Sequence, residues 1–269
     1  MTDDVLTTDT YTLHRGRVPL LVSLPHDGSE IPPALAARMN DHARAAPDTD
    51  WHVSRLYTFA RDALGASLLV PRYSRYVVDL NRPPDDTSLY PGQNTTGLCP
   101  ARCFSGEDVY LDGQAPDQAE VRQRVEQYWR PYHAAIAGEL ARLRAAHARV
   151  VLWEGHSIRG GGLPFLFPGR LPDLNLGTVG GTSCVGAVQQ GVEAALAAQS
   201  TYDWVSNGRF RGGYITRHYG RPSEGIDAVQ LEISQRAYMD ESTLAYDVPA
   251  ARRLQSLLES LLRGVLDAA

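Results

Sequence analysis

Lysine is absent from this sequence, and all 26 of its basic residues are arginine. The absence excludes a P-loop for phosphate chemistry, because a lysine completes that motif. Acidic residues number 31, and the resulting formal net charge of −5 argues against a nucleic-acid-binding surface. Arginine still matters in a pocket, because its guanidinium is a fixed planar fork that suits a carboxylate.

Cysteine is scarce, and long apolar runs are missing. The chain has an odd number of cysteines, Cys99, Cys103 and Cys184, and no CxxC motif. We therefore expect neither a disulfide framework nor a zinc ribbon. Cys184 is the candidate for a cysteine nucleophile, but a packed small residue is the simpler interpretation. The GxSxG turn of many serine hydrolases is also absent.

No run reaches the roughly 18 apolar residues of a membrane span, and the acidic first residues lack the features of a secretory signal. We therefore expect a cytoplasmic protein that acts on a small molecule, with no nucleic-acid or membrane partner. The sequence leaves the oligomeric state open.

Apolar strand patterns alternate with amphipathic helix patterns along the chain. The alternation predicts an α/β fold in which one domain, residues 1–269, contains a mixed, largely parallel sheet with helices on both faces. Residues 83–106 are rich in Pro, Gly, Asp and Asn and predict a long surface loop, a feature that is often functional. The patterns predict strands at 18–25, 66–71, 75–80, 149–156, 201–206, 213–217 and 227–234, and helices at 50–64, 117–147 (bent at Pro131), 183–199 and 248–267.

Ionisable side chains occur where three predicted strands end. The first strand is followed by His26, "VVLWEGH" ends with Glu154 and His156, and "DAVQLEIS" carries Glu232 between core residues. Ligands of open α/β sheets bind outside the carboxyl ends of the strands. A glutamate between core residues also needs a partner or a chemical role. We therefore expect one pocket that contains these groups.

Two histidines and a carboxylate from distant positions are typical of an open catalytic zinc site. His26 and His156 are the candidate histidine ligands, although either one alone is equally well explained as a hydrogen-bonded histidine near the core. The carboxylate is Asp50, at the start of the predicted helix, or Glu30, four residues after His26. We favour Asp50, because Glu30 lies in a loop that leads to two prolines and is expected to face solvent. The alternative for Asp50 is a helix cap.

A metal-activated water needs a general base, and Glu232 is the candidate. Its alternative is a buried salt bridge with an arginine. Glu154 is the weaker candidate for the base, and is equally suited to orienting a histidine ligand.

The stretch "RYVVDLNRP", residues 75–83, places Asn81 beside Arg82 after an apolar run. An amide next to a planar guanidinium suits a substrate carboxylate, while the alternative is a structural pair of Asp79 with Arg82. Arg75 is a candidate to stabilise a developing oxyanion.

A second cationic contact is expected from "NGRFRGGYITRH", residues 207–218, through Arg209 or Arg211. Gly213, with the glycine before it, lets backbone N–H groups approach an anion. The alternative is an ordinary glycine turn with solvated arginines.

Seven motifs follow one another between about residue 15 and about residue 245. They are "SLPHDG", "DTDWHVSRLYTFA", "SRYVVDLNRPPDD", "LWEGHSIRG", "DLNLGT", "NGRFRGGYITRHYG" and "VQLEISQRAYMDE". In this order the motifs resemble the N-formylglutamate amidohydrolase (N-formylglutamate deformylase) family. The family is distantly similar to aspartoacylases and zinc carboxypeptidases, so the resemblance implies their mixed-sheet α/β fold of the phosphorylase/hydrolase-like type.

The resemblance also implies a site and a reaction. On the family pattern His26 and His156 match zinc ligands, Asn81 and Arg82 match a carboxylate grip, and Glu232 matches the base. The distant relatives place a glutamate three residues after the first histidine, where this chain has Ser29. That departure is a second reason to favour Asp50.

The implied reaction is zinc-dependent hydrolysis of N-formyl-L-glutamate to formate and L-glutamate, in histidine degradation. The alternatives are another zinc amidase or carboxypeptidase that acts on acidic N-acyl amino acids or peptides, and a non-catalytic carboxylate-binding protein. The residues do not determine the acyl group or the native metal.

Overall fold

The computed structural model describes residues 4–268, apart from residues 90, 91 and 93. Within them, eight strands form one sheet in the order β1-β2-β4-β3-β5-β8-β6-β7. The strands are β1 (Val5–Thr7), β2 (Tyr11–His14), β3 (Leu20–Ser23), β4 (Ser67–Pro71), β5 (Val150–Ile158), β6 (Leu174–Gly177), β7 (Trp204–Ser206) and β8 (Ile226–Ser234).

The centre of the sheet is parallel and its flanks are mixed. Strands β4, β3, β5 and β8 pair in parallel, whereas β1, β2 and β6 add antiparallel pairings and β7 lies parallel to β6. The predicted mixed, largely parallel sheet is confirmed. The four parallel strands all deliver their carboxyl ends to the same edge.

Helices cover both faces of this sheet, as predicted. They are α1 (Pro33–Ala36), α2 (Asp41–Arg44), α3 (Val53–Leu56), α4 (Thr58–Asp62), α5 (Gln118–Arg124), α6 (Arg130–Ala146), α7 (Gly186–Ala197), α8 (Tyr214–Tyr219) and α9 (Val248–Asp267). A π-helical turn, Val125–Trp129, joins α5 to α6. Helices α3, α4, α7 and α9 pack on one face, and α6 and α8 pack on the other.

Strand β3 shows why its apolar run does not alternate with polar residues. Leu20 and Val22 pack in the core of one face, and Leu21 packs in the core of the other. A strand that is buried on both faces is apolar throughout.

Two of the predicted strands are wrong. Residues 75–80 form buried turns, in which the Val77 N–H donates to the Ser74 carbonyl and the Asp79 N–H to that of Leu98. Residues 213–217 mostly form the start of helix α8, whose first N–H groups find side-chain acceptors. A short apolar run has the same composition in either case, so its periodicity alone does not decide between them.

The helix predicted at 50–64 is broken. His52 has a φ of 65°, and the two short helices α3 and α4 follow it. The helix predicted at 117–147 deviates at the π-helical turn just before Pro131, rather than at the proline itself. The described part of the loop predicted at 83–106 contains no helix or strand. In the described residues, no helix is both long and apolar enough to cross a membrane.

Candidate active site

A cavity opens at the carboxyl edge of the parallel strands. The space between its walls, counted with the open solvent at its mouth, is about 730 Å³. Its walls come from the end of β3, the turns around residue 80, the strands β5 and β8, and the loop before α8. The predicted site residues His26, Arg75, Asn81, Arg82, His156, Gly213 and Glu232 all line it.

His26, Asp50 and His156 form a buried group beside this cavity. One ligand atom from each lies within 4.8 Å of the others. Asp50 Oδ2 is 3.8 Å from His26 Nδ1 and 3.2 Å from His156 Nδ1. Asp50 is held by its own N–H, which donates to the His26 carbonyl, and by the Ser157 N–H, which donates to Oδ2 at 3.0 Å.

The other oxygen of Asp50 lacks a hydrogen-bond donor among the described residues. Oδ1 is buried, and Arg75 Nη1 lies 3.9 Å from it, beyond hydrogen-bonding distance. A buried carboxylate oxygen without a donor is costly, and a cation between it and two imidazoles removes that cost. The group therefore fits a divalent metal ion. Glu30, by contrast, is exposed and accepts from Arg72 Nε at 2.8 Å, so it lies apart from the histidines.

Each histidine of the group is oriented by a second carboxylate. His26 Nε2 lies 2.7 Å from Asp79 Oδ1, and His156 Nε2 lies 2.9 Å from Glu154 Oε1. A proton on each Nε2 leaves the Nδ1 lone pair facing Asp50, which is the arrangement of a metal-binding histidine. Glu154 thus orients His156, and this contact fits an orienting residue better than a general base.

The two rings differ in electrostatics. Burial lowers the pKa of His26, and the Arg75 guanidinium lowers it further, which favours the neutral ring. Burial acts in the same direction on His156, but the carboxylates of Glu154 and Asp50 hold the pKa of that ring well above its usual value. A cation bound by His156 therefore has to displace a proton.

Glu232 lies beside His156. The two residues are partners in the β5–β8 register, so their side chains project to the same side of the sheet. Burial raises the pKa of Glu232 to about 8, although the charge of His156 opposes the shift. No hydrogen bond or ion pair joins its carboxylate to another described residue. The buried salt bridge considered for Glu232 is therefore absent from the described part of the chain.

Asp79 lies between His26 and two arginines. Its Oδ2 accepts from Arg75 Nη2 at 2.7 Å, while Arg82 Nε lies farther away at 3.9 Å. Arg75 also lies over the Phe104 ring, with 4.6 Å between the guanidinium carbon and the ring centroid. The guanidinium of Arg82 donates no hydrogen bond to a described residue, and it lines the cavity.

Asn81 is fixed by the start of α8. Its Oδ1 accepts from the Ile215 N–H at 2.9 Å, and its Nδ2 lies 3.2 Å from His156 Nε2. A Cβ on Gly213 would approach the Asn81 amide to 2.3 Å, so this close contact requires glycine. The N–H of Gly213 donates to Gln230 Oε1 at 2.7 Å and is therefore not offered to an anion.

Only one of the two candidate arginines in the glycine-rich stretch reaches the cavity. Arg209 lines the cavity, with its guanidinium over the Phe167 ring, whereas Arg211 is exposed and is not among the lining residues.

Cys184 is packed in the core, and burial raises the pKa of its thiol to about 12, which disfavours a nucleophile.

Asp79, Gln230 and Phe104 also contribute to the site, and the sequence does not predict these roles. Its patterns suggest only a pair with Arg82 for Asp79 and a place on the polar side of a strand for Gln230. Gln230 had a visible signal, because it alternates with Glu232 on the polar side of β8. The contacts of Asp79 and Phe104 depend on tertiary packing around the turns at residues 75–80.

Comparisons with known proteins match N-formylglutamate amidohydrolases and deformylases. The family model for N-formylglutamate amidohydrolase matches residues 18–239. The chain is 49% identical over 259 residues to the N-formylglutamate deformylase of Pseudomonas aeruginosa, and the alignment covers 96% of each. It is 47% identical over 256 residues to the deformylase of Pseudomonas putida, with 95% of each covered. The crystal structure of N-formylglutamate amidohydrolase from Ralstonia eutropha JMP134 has a TM-score of 0.81 and 26% identity, covering 97% of this chain and 98% of that one.

Proposed function

Since the chain belongs to the N-formylglutamate amidohydrolase family, we propose that it hydrolyses N-formyl-L-glutamate to formate and L-glutamate with a bound zinc ion. The observation that carries the proposal is one cavity bordered by a buried His–Asp–His group, the buried Glu232 and three arginine side chains. That the protein is an amidohydrolase follows from its membership of this family.

The metal ligands in this proposal are Nδ1 of His26, Nδ1 of His156 and the carboxylate of Asp50. Nitrogen and oxygen donors of this kind suit zinc. When bound, such an ion supplies Lewis acidity that activates water and polarises a carbonyl group. Asp79 and Glu154 keep the two imidazoles in the orientation that binding needs.

The substrate carries two carboxylates, and the cavity offers separate cationic groups for them. Arg82, with the amide of Asn81 beside it, is assigned to one carboxylate. Arg209 is assigned to the other, because it lines the cavity and Arg211 does not. Arg75 is assigned to the formyl oxygen, where negative charge develops during attack.

Glu232 is assigned the proton transfers. It accepts a proton from the water that attacks the formyl carbon, and it returns that proton to the nitrogen as the C–N bond breaks. The first step needs the ionised carboxylate, and the second step needs the acid form. Burial raises the pKa of Glu232 to about 8, which brings the acid form needed for the second step within reach near neutral pH.

Substrate comparison tests this proposal. The purified protein should contain zinc and should release formate from N-formylglutamate faster than it hydrolyses N-acetyl- or N-succinylglutamate. Equal rates on all three would remove the specific assignment and leave a zinc amidohydrolase of acidic N-acyl amino acids. Absence of both metal and hydrolysis would leave a carboxylate-binding protein. The role in histidine degradation stays a prediction that depends on the first outcome.

A further inference from the structure

The segment of residues 76–82 carries Asp79, Asn81 and Arg82, yet it belongs to no strand. The carbonyl groups of Val77, Leu80 and Arg82 accept hydrogen bonds from side chains of the neighbouring helical region. We call Arg124, Trp129 and His133 the donor stripe. The bonds are Arg124 Nη1 to the carbonyl of Val77 at 3.1 Å, Trp129 Nε1 to that of Arg82 at 3.0 Å, and His133 Nε2 to that of Leu80 at 2.8 Å.

The π-helical turn aligns this stripe. Arg124 and Trp129 are five residues apart, so in a continuous α-helix of about 3.6 residues per turn they would point about 140° away from each other. Here the Arg130 N–H donates to the carbonyl of Val125, five residues back, and the wider turn returns Trp129 to the face of Arg124. His133 follows one α-turn later. Such π-turns inside α-helices occur frequently at functional sites.

Trp129 and His133 are rigidly packed. Their rings stack with centroids 3.6 Å apart and an interplanar angle of 18°, and both side chains are buried. Burial lowers the pKa of His133 to about 3, so the ring is neutral and its Nε2 proton is available to the Leu80 carbonyl. The Tyr219 hydroxyl lies 3.0 Å from Nδ1 on the other side of the ring.

We propose that Trp129 and His133 are positioning residues for the substrate grip of Asn81 and Arg82. They hold the main chain on either side of Asn81, so that the amide and guanidinium meet the substrate carboxylate. Neither Trp129 nor His133 lines the cavity, so both act through Asn81 and Arg82. The inference rests on the proposed function, because its readout is binding of the acylglutamate substrate.

Single substitutions test the proposal. Trp129→Phe and His133→Phe keep an aromatic ring in the stack and remove one N–H donor each. Each should raise KM for N-formylglutamate about tenfold, because losing one hydrogen bond in a positioned contact costs roughly that factor, while kcat stays within about threefold. His133→Gln restores an N–H donor and should recover much of the loss.

Trp153→Phe is the matched control. Trp153 is also buried and donates from its indole, to the Tyr57 hydroxyl at 3.0 Å, but it packs in the core of the opposite face. Its KM should equal that of the wild type. A variant that folds only in part loses apparent kcat without a change in KM, so a purely structural role is recognised by that pattern.

Two results would overturn the inference in different ways. An active wild type with unchanged KM in both Trp129→Phe and His133→Phe would remove the positioning role alone. A wild type that is inactive towards every acylglutamate would remove the proposed function, and this inference with it.

Discussion

Asp79 and Glu232 are both buried carboxylates beside one cavity, yet their surroundings shift their pKa values in opposite directions. Burial favours the neutral form of Asp79, but His26 and Arg75 outweigh it and hold its pKa well below the usual range. Burial of Glu232 is opposed less strongly, and its pKa rises to about 8. Asp79 therefore keeps its charge and orients His26, whereas Glu232 is able to exchange a proton.

Removing the acid–base function of Glu232 should separate chemistry from metal binding. Glu232→Gln should lower kcat by about 10²–10⁴-fold, the usual contribution of a positioned base. Metal content should stay at the wild-type level, because Glu232 is not among the three ligands. Steady-state kinetics and elemental analysis of the same preparation check both points, and full turnover in the variant would show that another residue is the base.

The raised pKa of Glu232 also predicts how stability depends on pH. An ordinary glutamate has a pKa of 4.5, and in the folded chain it is about 8. Between these values the folded state holds a proton that the unfolded state releases, so stability falls as pH rises through this window and then levels off. Glu232→Gln lacks the group and should gain in relative stability over the same window.

Urea unfolding of the metal-free proteins at roughly pH 5, 7 and 9 measures this difference. The variant should gain about 1 kcal/mol or more relative to the wild type, since one pKa unit corresponds to about 1.4 kcal/mol. The exposed Glu30→Gln is the control and should follow the wild type. Parallel profiles for wild type and Glu232→Gln would contradict the raised pKa.

Two substitutions test whether Asp50 or Glu30 is the carboxylate ligand of the metal. Asp50→Asn removes the charge beside the two histidines and should reduce the zinc content to well below about one ion per chain. Glu30→Gln changes an exposed carboxylate and should keep the full content. Retention of zinc by Asp50→Asn with loss in Glu30→Gln would reverse the assignment.

Among the secondary-structure elements, the π-helical turn has the clearest consequence. It aligns the donor stripe, whereas the sequence predicted only a bend at Pro131 within the helix of residues 117–147. The same limit applies to residues 75–80, which were predicted as a strand. Their apolar side chains are buried as in a strand, but their hydrogen bonds go to side chains of a helix and to the loop at Leu98.

Deleting Gln127, an exposed residue inside the turn, should convert the region to a continuous α-helix. Arg124 and Trp129 would then be four residues apart, about 40° around the helix, so the donor stripe should stay aligned. We therefore expect KM for the substrate to stay close to the wild-type value in the deletion variant. Gln127→Ala keeps the chain length and should also leave KM unchanged. A rise in KM in a folded deletion variant would show that positioning needs the π-helical turn itself and not only the alignment of the stripe.

On the scale of the whole molecule, the sequence predicted those site residues that sit at strand ends. His26, His156 and Glu232 follow or interrupt apolar strands, and parallel strands bring their carboxyl ends to one edge. Asp50 was predicted from the inward face of a helix, and it lies with the histidines although that helix is broken at His52. The alternation of strands and helices was sufficient for the fold class.

Other parts of the site depend on contacts between distant segments. Arg209 and Arg211 lie two residues apart in a glycine-rich stretch, so only its folded path decides which one reaches the cavity. The orienting roles of Asp79 and Glu154 require the exact approach of separate elements to the two imidazoles. Local patterns do not contain that information.

We propose that hydrolysis depends on an ion held by His26, Asp50 and His156. The most direct measurement is a zinc titration of the metal-stripped wild type, with bound metal and formate release from N-formylglutamate recorded at each step. We predict that activity rises in proportion to bound zinc and saturates at about one ion per chain, and that His26→Ala shows neither rise. Full formate release by the metal-stripped protein would contradict the claim.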